Sequence, residues 1–451
     1  MQIFRWSSVV LASSSLLLIN EISLTKAEST IGVIMSALAD VSNTTIKAPA
    51  FITIDNDDLY NMSAITFAGM RHGGVSDAAV YTKTYATRRT MTSNHTKVVW
   101  HGVIAEAGRF GFATLVRGVT GHVVGTLTTE VATYDLVTLP DGNLHVRSTM
   151  WKNHKHGMGI EKAQENRQVL SEMADNVTAM SVVHSFRPDH SGTATKSMGE
   201  GAAMLQNSNR KLLRDGSGVG ERGLQGTTVV DILVIVTNRA MCEYAGLKSG
   251  CESSDKNRAP INNMIPVLQA QTTAAMQSVG APVKMRIVQV VHLAANGFDA
   301  IPDTTALKVI QTEYFQKLRT DAGADLVSML TGDGGPYAGL AYLNSPESVV
   351  SVHAFGIFAF THELGHNFGC YHDKETCGGT KHPYAHALRV PFKLRTVMAY
   401  YCPNDSCRVI PYYSSNGYKY GGIPIGDSTT DNARLIRENA PRVASWMPTK
   451  L

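Results

Sequence analysis

Residues 362–372 read HELGHNFGCYH, and this stretch decides the fold and the chemistry of the chain. His362 and His366 are four residues apart, so a helix presents both imidazoles on one face. Gly369 then ends the helix, because glycine adopts the left-handed conformation of a helix C-cap without steric cost. The turn brings His372 back as a third imidazole. The spacing predicts one tetrahedral Zn²⁺ site with His362, His366 and His372 as ligands.

Glu363 follows the first histidine directly. On a helix it reaches the open coordination position of the metal, where a carboxylate can take a proton from water. Three neutral imidazoles leave the metal its full charge, which favours ionisation of that water. The motif therefore predicts a hydrolase with Zn²⁺ as cofactor and Glu363 as catalytic base.

The chain before the motif alternates between strand-like and helix-like patterns. The β-branched run Val229–Val236 predicts a buried strand, and Val283–Leu293 predicts a second. Helices are predicted over Asn262–Val279 and Thr304–Thr320. Two short strands follow, Asp325–Leu330 and Tyr337–Leu343, and the latter is expected at the edge of the cleft. This order predicts a mixed α/β sheet.

The long histidine signature resembles that of the metzincin zinc endopeptidases, and Asp373 directly after it is similar to the adamalysin (reprolysin) branch. Thr396–Tyr400 resembles the Met-turn of that clan, with Met398 placed 26 residues after His372. The resemblance implies an α/β (α+β) catalytic domain with a mixed twisted sheet and an active-site helix. Tyr400 stands two places after the methionine, where some branches use a tyrosine to assist the transition state.

The N-terminal half has a different composition. Lys97–Met150 consists of alternating apolar and polar runs separated by glycines, which predicts an antiparallel β unit, and it is similar to reprolysin propeptides. Asn207–Gly226 is polar, glycine-rich and dibasic, as expected of a linker that proteases cut. We therefore expect a mainly antiparallel β prodomain at 28–225 and the metzincin-like peptidase domain at 226–451.

This prodomain is expected to act as the inhibitor of its own enzyme, so the protein would be made as a latent proenzyme. Residues 28–225 contain no cysteine, so latency through a cysteine ligand to zinc is excluded. The region would have to bury the cleft or use another ligand. An alternative remains, in which the β unit is an adhesion module that stays attached to the rest of the chain.

Residues 1–27 have the composition of a signal peptide: Arg5 gives a short basic start, Trp6–Ile19 is apolar and serine-rich, and Thr25–Ala27 has small residues at cleavage spacing. No later stretch is long and apolar enough to span a membrane. The chain is expected to be secreted and glycosylated at sequons that begin at Asn43, Asn61, Asn94, Asn176 and Asn404.

All six cysteines lie in the C-terminal half, and an even number in a secreted chain predicts three disulfides. Six cysteines permit 15 pairings. The nearest-neighbour prediction is Cys242–Cys251, Cys370–Cys377 and Cys402–Cys407.

Composition and charge limit the classes of partner that the protein is expected to bind. The formal net charge is +4 with 78 charged residues, which does not indicate a cationic surface for nucleic acid. Protein or peptide substrates are the partners expected of a metalloendopeptidase. The competing interpretation is a catalytically silent binding or inhibitory protein that retains the metzincin scaffold, with zinc in a structural role.

Overall fold

The structure is a computed structural model. It describes the following residues: 31–34, 58–67, 71–72, 75–76, 79–92, 95–104, 111–117, 123–130, 132–138, 144–150, 157–161, 182–186, 226–294, 303–332, 337–377, 381–402 and 407–448. The expected signal peptide and all of the predicted linker except Gly226 lie outside the described residues.

The first part of the chain forms an eight-stranded sheet, here called the N-terminal sheet, in the order β1-β2-β5-β6-β7-β8-β9-β10. Neighbouring strands in this sheet are antiparallel, except that β1 and β2 are parallel. The predicted antiparallel unit is therefore confirmed. A short helix α1, Asp58–Asn61, precedes β2. The strands, including the separate β3–β4 pair, are β1 Ile31–Ile34, β2 Ala64–Phe67, β3 Arg71–His72, β4 Val75–Ser76, β5 Ala79–Thr92, β6 His95–Ile104, β7 Phe112–Arg117, β8 Val123–Thr128, β9 Ala132–Thr138 and β10 Leu144–Met150.

Strands β7 and β8, in the middle of this sheet, are buried on both faces. Along β7, Ala113 and Leu115 belong to a cluster made only of residues from the N-terminal region. Phe112 and Val116, which point the other way, belong to the main core of the C-terminal part. Successive side chains of one strand therefore enter two different hydrophobic cores.

His101 on β6 lies between these two parts of the molecule. It is 4% exposed, and its Nδ1 is 2.8 Å from the Thr114 hydroxyl oxygen. Burial lowers the pKa of His101 from 6.5 to about 4. The folded protein therefore favours the neutral form of the His101 ring.

We expect this histidine to make folding pH-dependent. Since its pKa is lower in the folded than in the unfolded state, its contribution is present above pH 6.5 and is lost as the pH falls towards 4. A shift of this size corresponds to about 3 kcal/mol in total. Urea unfolding at several pH values should show a steeper acid loss for the wild type than for His101→Gln. If the free energy of unfolding falls equally with pH in the two proteins, the pH dependence does not come from His101.

The second large sheet, here called the C-terminal sheet, has seven strands in the order β11-β16-β17-β15-β13-β14-β12. Strands β13, β14, β15 and β17 are parallel, whereas β16 is antiparallel to β17, so the predicted mixed sheet is confirmed. The bounds are β11 Gly157–Glu161, β12 Val182–Phe186, β13 Thr228–Val236, β14 Val283–Leu293, β15 Leu326–Thr331, β16 Tyr337–Tyr342 and β17 Glu347–Ser351.

The C-terminal part contains the helices α2 Asn238–Tyr244, α3 Asp255–Gln277, α4 Asp303–Val309, α5 Glu313–Ala322, a 3₁₀ turn Val352–Ile357, α6 Ala359–Asn367, α7 Lys374–Cys377 and α8 Asn432–Val443. The single helix predicted over Thr304–Thr320 is wrong, because Thr312 is extended and starts a new helix, with its hydroxyl bonded to the Val309 carbonyl oxygen. Short strands complete the chain: β18 Arg389–Val390, β19 Leu394–Arg395, β20 Arg408–Val409, β21 Lys419–Tyr420 and β22 Ile423–Pro424.

Two strands of the C-terminal sheet come from the region predicted as prodomain. Strand β11 pairs in parallel with β16 at one edge, and β12 pairs antiparallel with β14 at the other. Edge strands offer unpaired backbone groups to any extended segment. Residues upstream of the linker therefore cover both edges of this sheet.

Two of the three predicted disulfides are confirmed, Cys242–Cys251 and Cys402–Cys407. The prediction of Cys370–Cys377 is wrong, since both thiols are free. The Cys370 sulfur is fully buried and points to the Asn432 carbonyl oxygen at 3.7 Å, in the core beneath α8. Cys377 is only half-buried, at the end of α7.

Among the described residues, no helix combines the length and the apolar character needed to cross a membrane. Of the predicted glycosylation sites, Asn61 is described and is exposed. Asn43, Asn94, Asn176 and Asn404 lie outside the described residues.

Candidate metal centre

Helix α6 and the turn after it bring the three predicted histidines together. The Nε2 atoms of His362 and His366 are 3.1 Å apart, and that of His372 is 3.1 Å from the first and 2.9 Å from the second. All three side chains are buried. The turn passes through Gly369, which has a φ of 94°, a backbone conformation that glycine adopts at little energetic cost.

Hydrogen bonds on the far side of two rings fix their tautomers. His362 Nδ1 lies 2.7 Å from the Val397 carbonyl oxygen, and His366 Nδ1 lies 2.8 Å from the Cys370 carbonyl oxygen. A carbonyl oxygen only accepts, so each Nδ1 carries the proton and donates it. The Nε2 lone pairs are then directed at their common centre, the arrangement that metal ligation requires.

Burial also keeps these imidazoles neutral. It lowers the pKa of His366 to about 4, and it lowers the pKa of His362 and His372 well below their usual range. Neutral imidazole is the form that binds a metal. Among the described residues, these three are the one group of histidine, cysteine or carboxylate side chains close enough together to hold an ion.

The donor set fits zinc. Three imidazole nitrogens with one position left open are the usual catalytic zinc arrangement, while structural sites are closed by four protein ligands. The triad His362, His366 and His372 therefore fits a zinc ion with an open position.

Glu363 is fully buried beside the triad and lies against strand β16. A Cβ atom placed on Gly339 would be 2.7 Å from both Cγ and Oε1 of Glu363. The absence of a side chain at Gly339 therefore creates the space that the carboxylate occupies. Sequence reasoning placed β16 at the cleft edge but missed this glycine, which no local pattern distinguishes.

We expect Gly339→Ala to displace the carboxylate without disturbing the ligands. Because the added methyl group would overlap Glu363, peptidase turnover should fall at least about 10-fold, while zinc content by metal analysis should stay near that of the wild type. Gly226→Ala, where an added Cβ meets nothing within 4 Å, serves as the matched control. Unchanged turnover in Gly339→Ala would show that the space is not needed.

Met398 lies directly beneath α6. It is fully buried, and its sulfur sits against Gly365, the glycine between the two helical histidines. A Cβ on Gly365 would also be 2.8 Å from Cε1 of Tyr413. The glycine in the motif thus permits close packing of α6 on the Met-turn, whose Val397 carbonyl holds His362.

Tyr400 and Asp373 lie on the other side of His372. The Tyr400 ring centre is 4.0 Å from that of His372, and its backbone N–H donates to Asp373 over 2.9 Å. Burial is the main cause that raises the Tyr400 pKa, followed by the nearby Glu363 carboxylate, so the phenol keeps its proton. Arg389, which sequence reasoning missed, pairs with the same Asp373 at 2.8 Å.

The comparisons with known proteins agree with this geometry. Residues 226–414 match a reprolysin-type family profile described as Metallo-peptidase family M12. A peptidyl-Asp metalloendopeptidase of Xanthomonas campestris pv. campestris is 27% identical over 48% of this chain and 51% of its own length. One of Stenotrophomonas maltophilia is 25% identical over 51% of this chain and 56% of its own.

The chain thus spans about half the length of the curated relatives it matches. A solved chaperone–substrate complex matches 49% of this chain and 35% of its own, with 21% identity and a TM-score of 0.39. That similarity is too low to bear on the fold.

Proposed function

Because residues 226–414 match the profile of Metallo-peptidase family M12, we propose that this protein is a secreted zinc-dependent endopeptidase that hydrolyses internal peptide bonds and is made as a latent proenzyme. The observation that carries the proposal is the convergence of three buried, neutral imidazole nitrogens beside a buried carboxylate. A fourth protein ligand would be expected of a purely structural site.

Bound Zn²⁺ would supply a Lewis acid and lower the pKa of coordinated water, with His362, His366 and His372 as its ligands. Glu363 would accept the proton of the attacking water and deliver it to the leaving amine. Val397 and Cys370 would keep the first two imidazoles oriented through their carbonyl oxygens. Tyr400, protonated and packed on His372, could donate a hydrogen bond to the oxygen of the reacting carbonyl.

Strand β16 supplies the surface for the substrate backbone. It lies beside Glu363 through Gly339, and an extended peptide can add to such an edge by main-chain hydrogen bonds. The position of the peptide bond next to the carboxylate would then follow from strand register.

For the substrate, we propose cleavage next to aspartate. The support is the activity named for both relatives, peptidyl-Asp metalloendopeptidase. A peptide series in which aspartate is replaced by asparagine tests the preference, because the two side chains are nearly the same size and differ in charge. We expect at least about 10-fold faster cleavage of the aspartate peptide, the discrimination that one well-placed interaction gives.

Latency is supported by strand β11. This segment of the proposed prodomain pairs with β16 along Gly157–Glu161 and therefore occupies the edge that a substrate would need. Uncut protein should cleave peptides slowly, and protein from which β11 has been displaced should cleave them fast.

A peptide library tests the endopeptidase activity. Protein cut within 207–225 is incubated with the library, with and without a zinc chelator, and the products are sequenced by mass spectrometry. Internal cleavage that the chelator abolishes and added Zn²⁺ restores would support the proposal. Stoichiometric zinc with no cleavage of any peptide would favour the silent scaffold instead.

A further inference from the structure

The N-terminal sheet has an apolar face that the rest of the chain covers. Phe112, Val116, Val124 and Val137, one or two from each of β7, β8 and β9, belong to the core that contains α3 and α6 residues. Each is at most 2% exposed. Separation of the two parts would bring this face into water.

The catalytic part presents a matching surface. Helix α3 contacts β7, β8 and β9 on one side and β14 and α6 on the other. The ring centres of Phe112 and Phe358 are 5.1 Å apart, and Phe358 immediately precedes α6. Helix α3 is therefore buried between the two sheets, and the active-site helix itself begins at the contact.

Strand β12 adds a second attachment far from the metal. Its backbone pairs with β14 from Val182↔Leu293 to Phe186↔Val290, and Gln289 Nε2 donates to the Ser185 hydroxyl oxygen over 2.7 Å. Four strands, β17, β15, β13 and β14, separate this edge from β16. Loss of β12 would expose an unpaired edge without opening the substrate edge.

Strand β11, unlike β12, lies next to the metal centre. Its Met158 is paired with Gly339, the residue that lies against Glu363. Among the strands that the structure describes, β16 is its one partner, and β11 lies at the outer edge of the sheet. A short edge strand of this kind can leave by local opening, which costs less than separation of a packed core.

We propose that cleavage within 207–225 leaves the N-terminal region bound as a separate chain, held by its sheet and by β12, and that departure of β11 alone uncovers the substrate edge. The active form is then a two-chain protein. The statement that the two-chain form is active rests on the proposed function. The attachment of the N-terminal region does not depend on catalysis.

The attachment is tested on full-length protein with a specific protease site inserted between Ser217 and Gly218. After complete cutting, size-exclusion chromatography at micromolar concentration should give one peak that contains both fragments in equal amounts. Two separate peaks would overturn the proposal.

Two neighbouring truncations in β7 locate the contact. Phe112→Ala removes a side chain that packs on the catalytic part, and Leu115→Ala removes one that packs only within the N-terminal region. Phe112→Ala should weaken association of the cut fragments about 100-fold, the cost of a large truncation at a buried contact. Leu115→Ala should leave association within about 5-fold of the wild type. Equal effects of the two would contradict the assigned surface.

Hydrogen exchange on the cut wild-type protein distinguishes the two strands without any substitution. Amides within 290–293 of β14 that face β12 should stay protected, while amides within 339–342 of β16 that face β11 should exchange at least about 10-fold faster than in uncut protein. Protection lost at both edges, or at β14 alone, would overturn the division of roles.

Activity provides the last test. The double variant Met158→Pro/Gly159→Pro removes two backbone donors from β11 and should raise peptide cleavage by uncut protein at least about 10-fold, with both regions still in one peak after cutting. Ser217→Pro, in the predicted linker, is the control. No gain in the double variant, although a cut wild-type sample is active, would refute the β11 step. No cleavage by any form, with the fragments still associated, would refute only the proposed function.

Discussion

Replacement of Glu363 by glutamine is expected to lower peptide turnover by about 10²–10⁴-fold, the usual contribution of a general base. Glutamine has nearly the same shape, so it fills the space beside Gly339, but its amide cannot accept the proton. The loss should fall on kcat, and peptide binding along β16 should change little. Initial rates on one fluorogenic peptide, with cut wild-type and variant proteins, measure it.

Zinc content and thermal stability of Glu363→Gln are the controls. Because the carboxylate is not a ligand, both quantities should match the wild type. A variant with full zinc and more than about a third of normal turnover would exclude Glu363 as the base.

Replacement of His372 by alanine is expected to remove the metal, and activity with it. The triad becomes a pair of imidazoles, and the third donor comes from the turn after Gly369 rather than from the helix. Two ligands on one helix face hold zinc far more weakly than three. Zinc per chain after dialysis should fall from about one to below about 0.1, with turnover reduced at least as much as in Glu363→Gln.

His292→Gln is the matched comparison, because His292 is also buried but its Nε2 lies 2.8 Å from the Asn262 Oδ1 atom. That variant should keep its zinc. Retention of stoichiometric zinc by His372→Ala would mean that His372 is not a ligand.

Prediction from sequence succeeded where the information is local. The spacing of His362, His366 and His372 predicted three imidazoles around one point, and the Nε2 atoms do meet within about 3 Å. Strands β13 and β14 were recognised because β13 is a long run rich in β-branched residues and β14 is also rich in valine and isoleucine. The short-range disulfides Cys242–Cys251 and Cys402–Cys407 also followed from proximity along the chain.

Prediction failed where a particular contact overrides the local sequence pattern. Cys370 is near Cys377 in sequence, but its sulfur is directed into the core towards Asn432. The helix over Thr304–Thr320 has a continuous amphipathic pattern, and it still breaks at Thr312, where a hydroxyl competes for a backbone carbonyl. The position of the Cys370 sulfur and the break at Thr312 each depend on a contact that cannot be read from the periodicity of the sequence.

The sequence by itself determined the identity and spacing of the three histidines that converge, the carboxylate beside them and the strand-rich character of the N-terminal half. These follow from residue types and intervals of a few positions, because helix and turn geometry are local. Only the tertiary structure decided that Gly339 accommodates Glu363, that β11 and β12 cover opposite edges of one sheet, and that β7 serves two cores. Gly339 and Glu363 are only 24 residues apart, but they meet because α6 packs on β16. The pairings of β11 and β12 join segments over 100 residues apart, where burial and unpaired backbone groups select the partner and no short pattern records the choice.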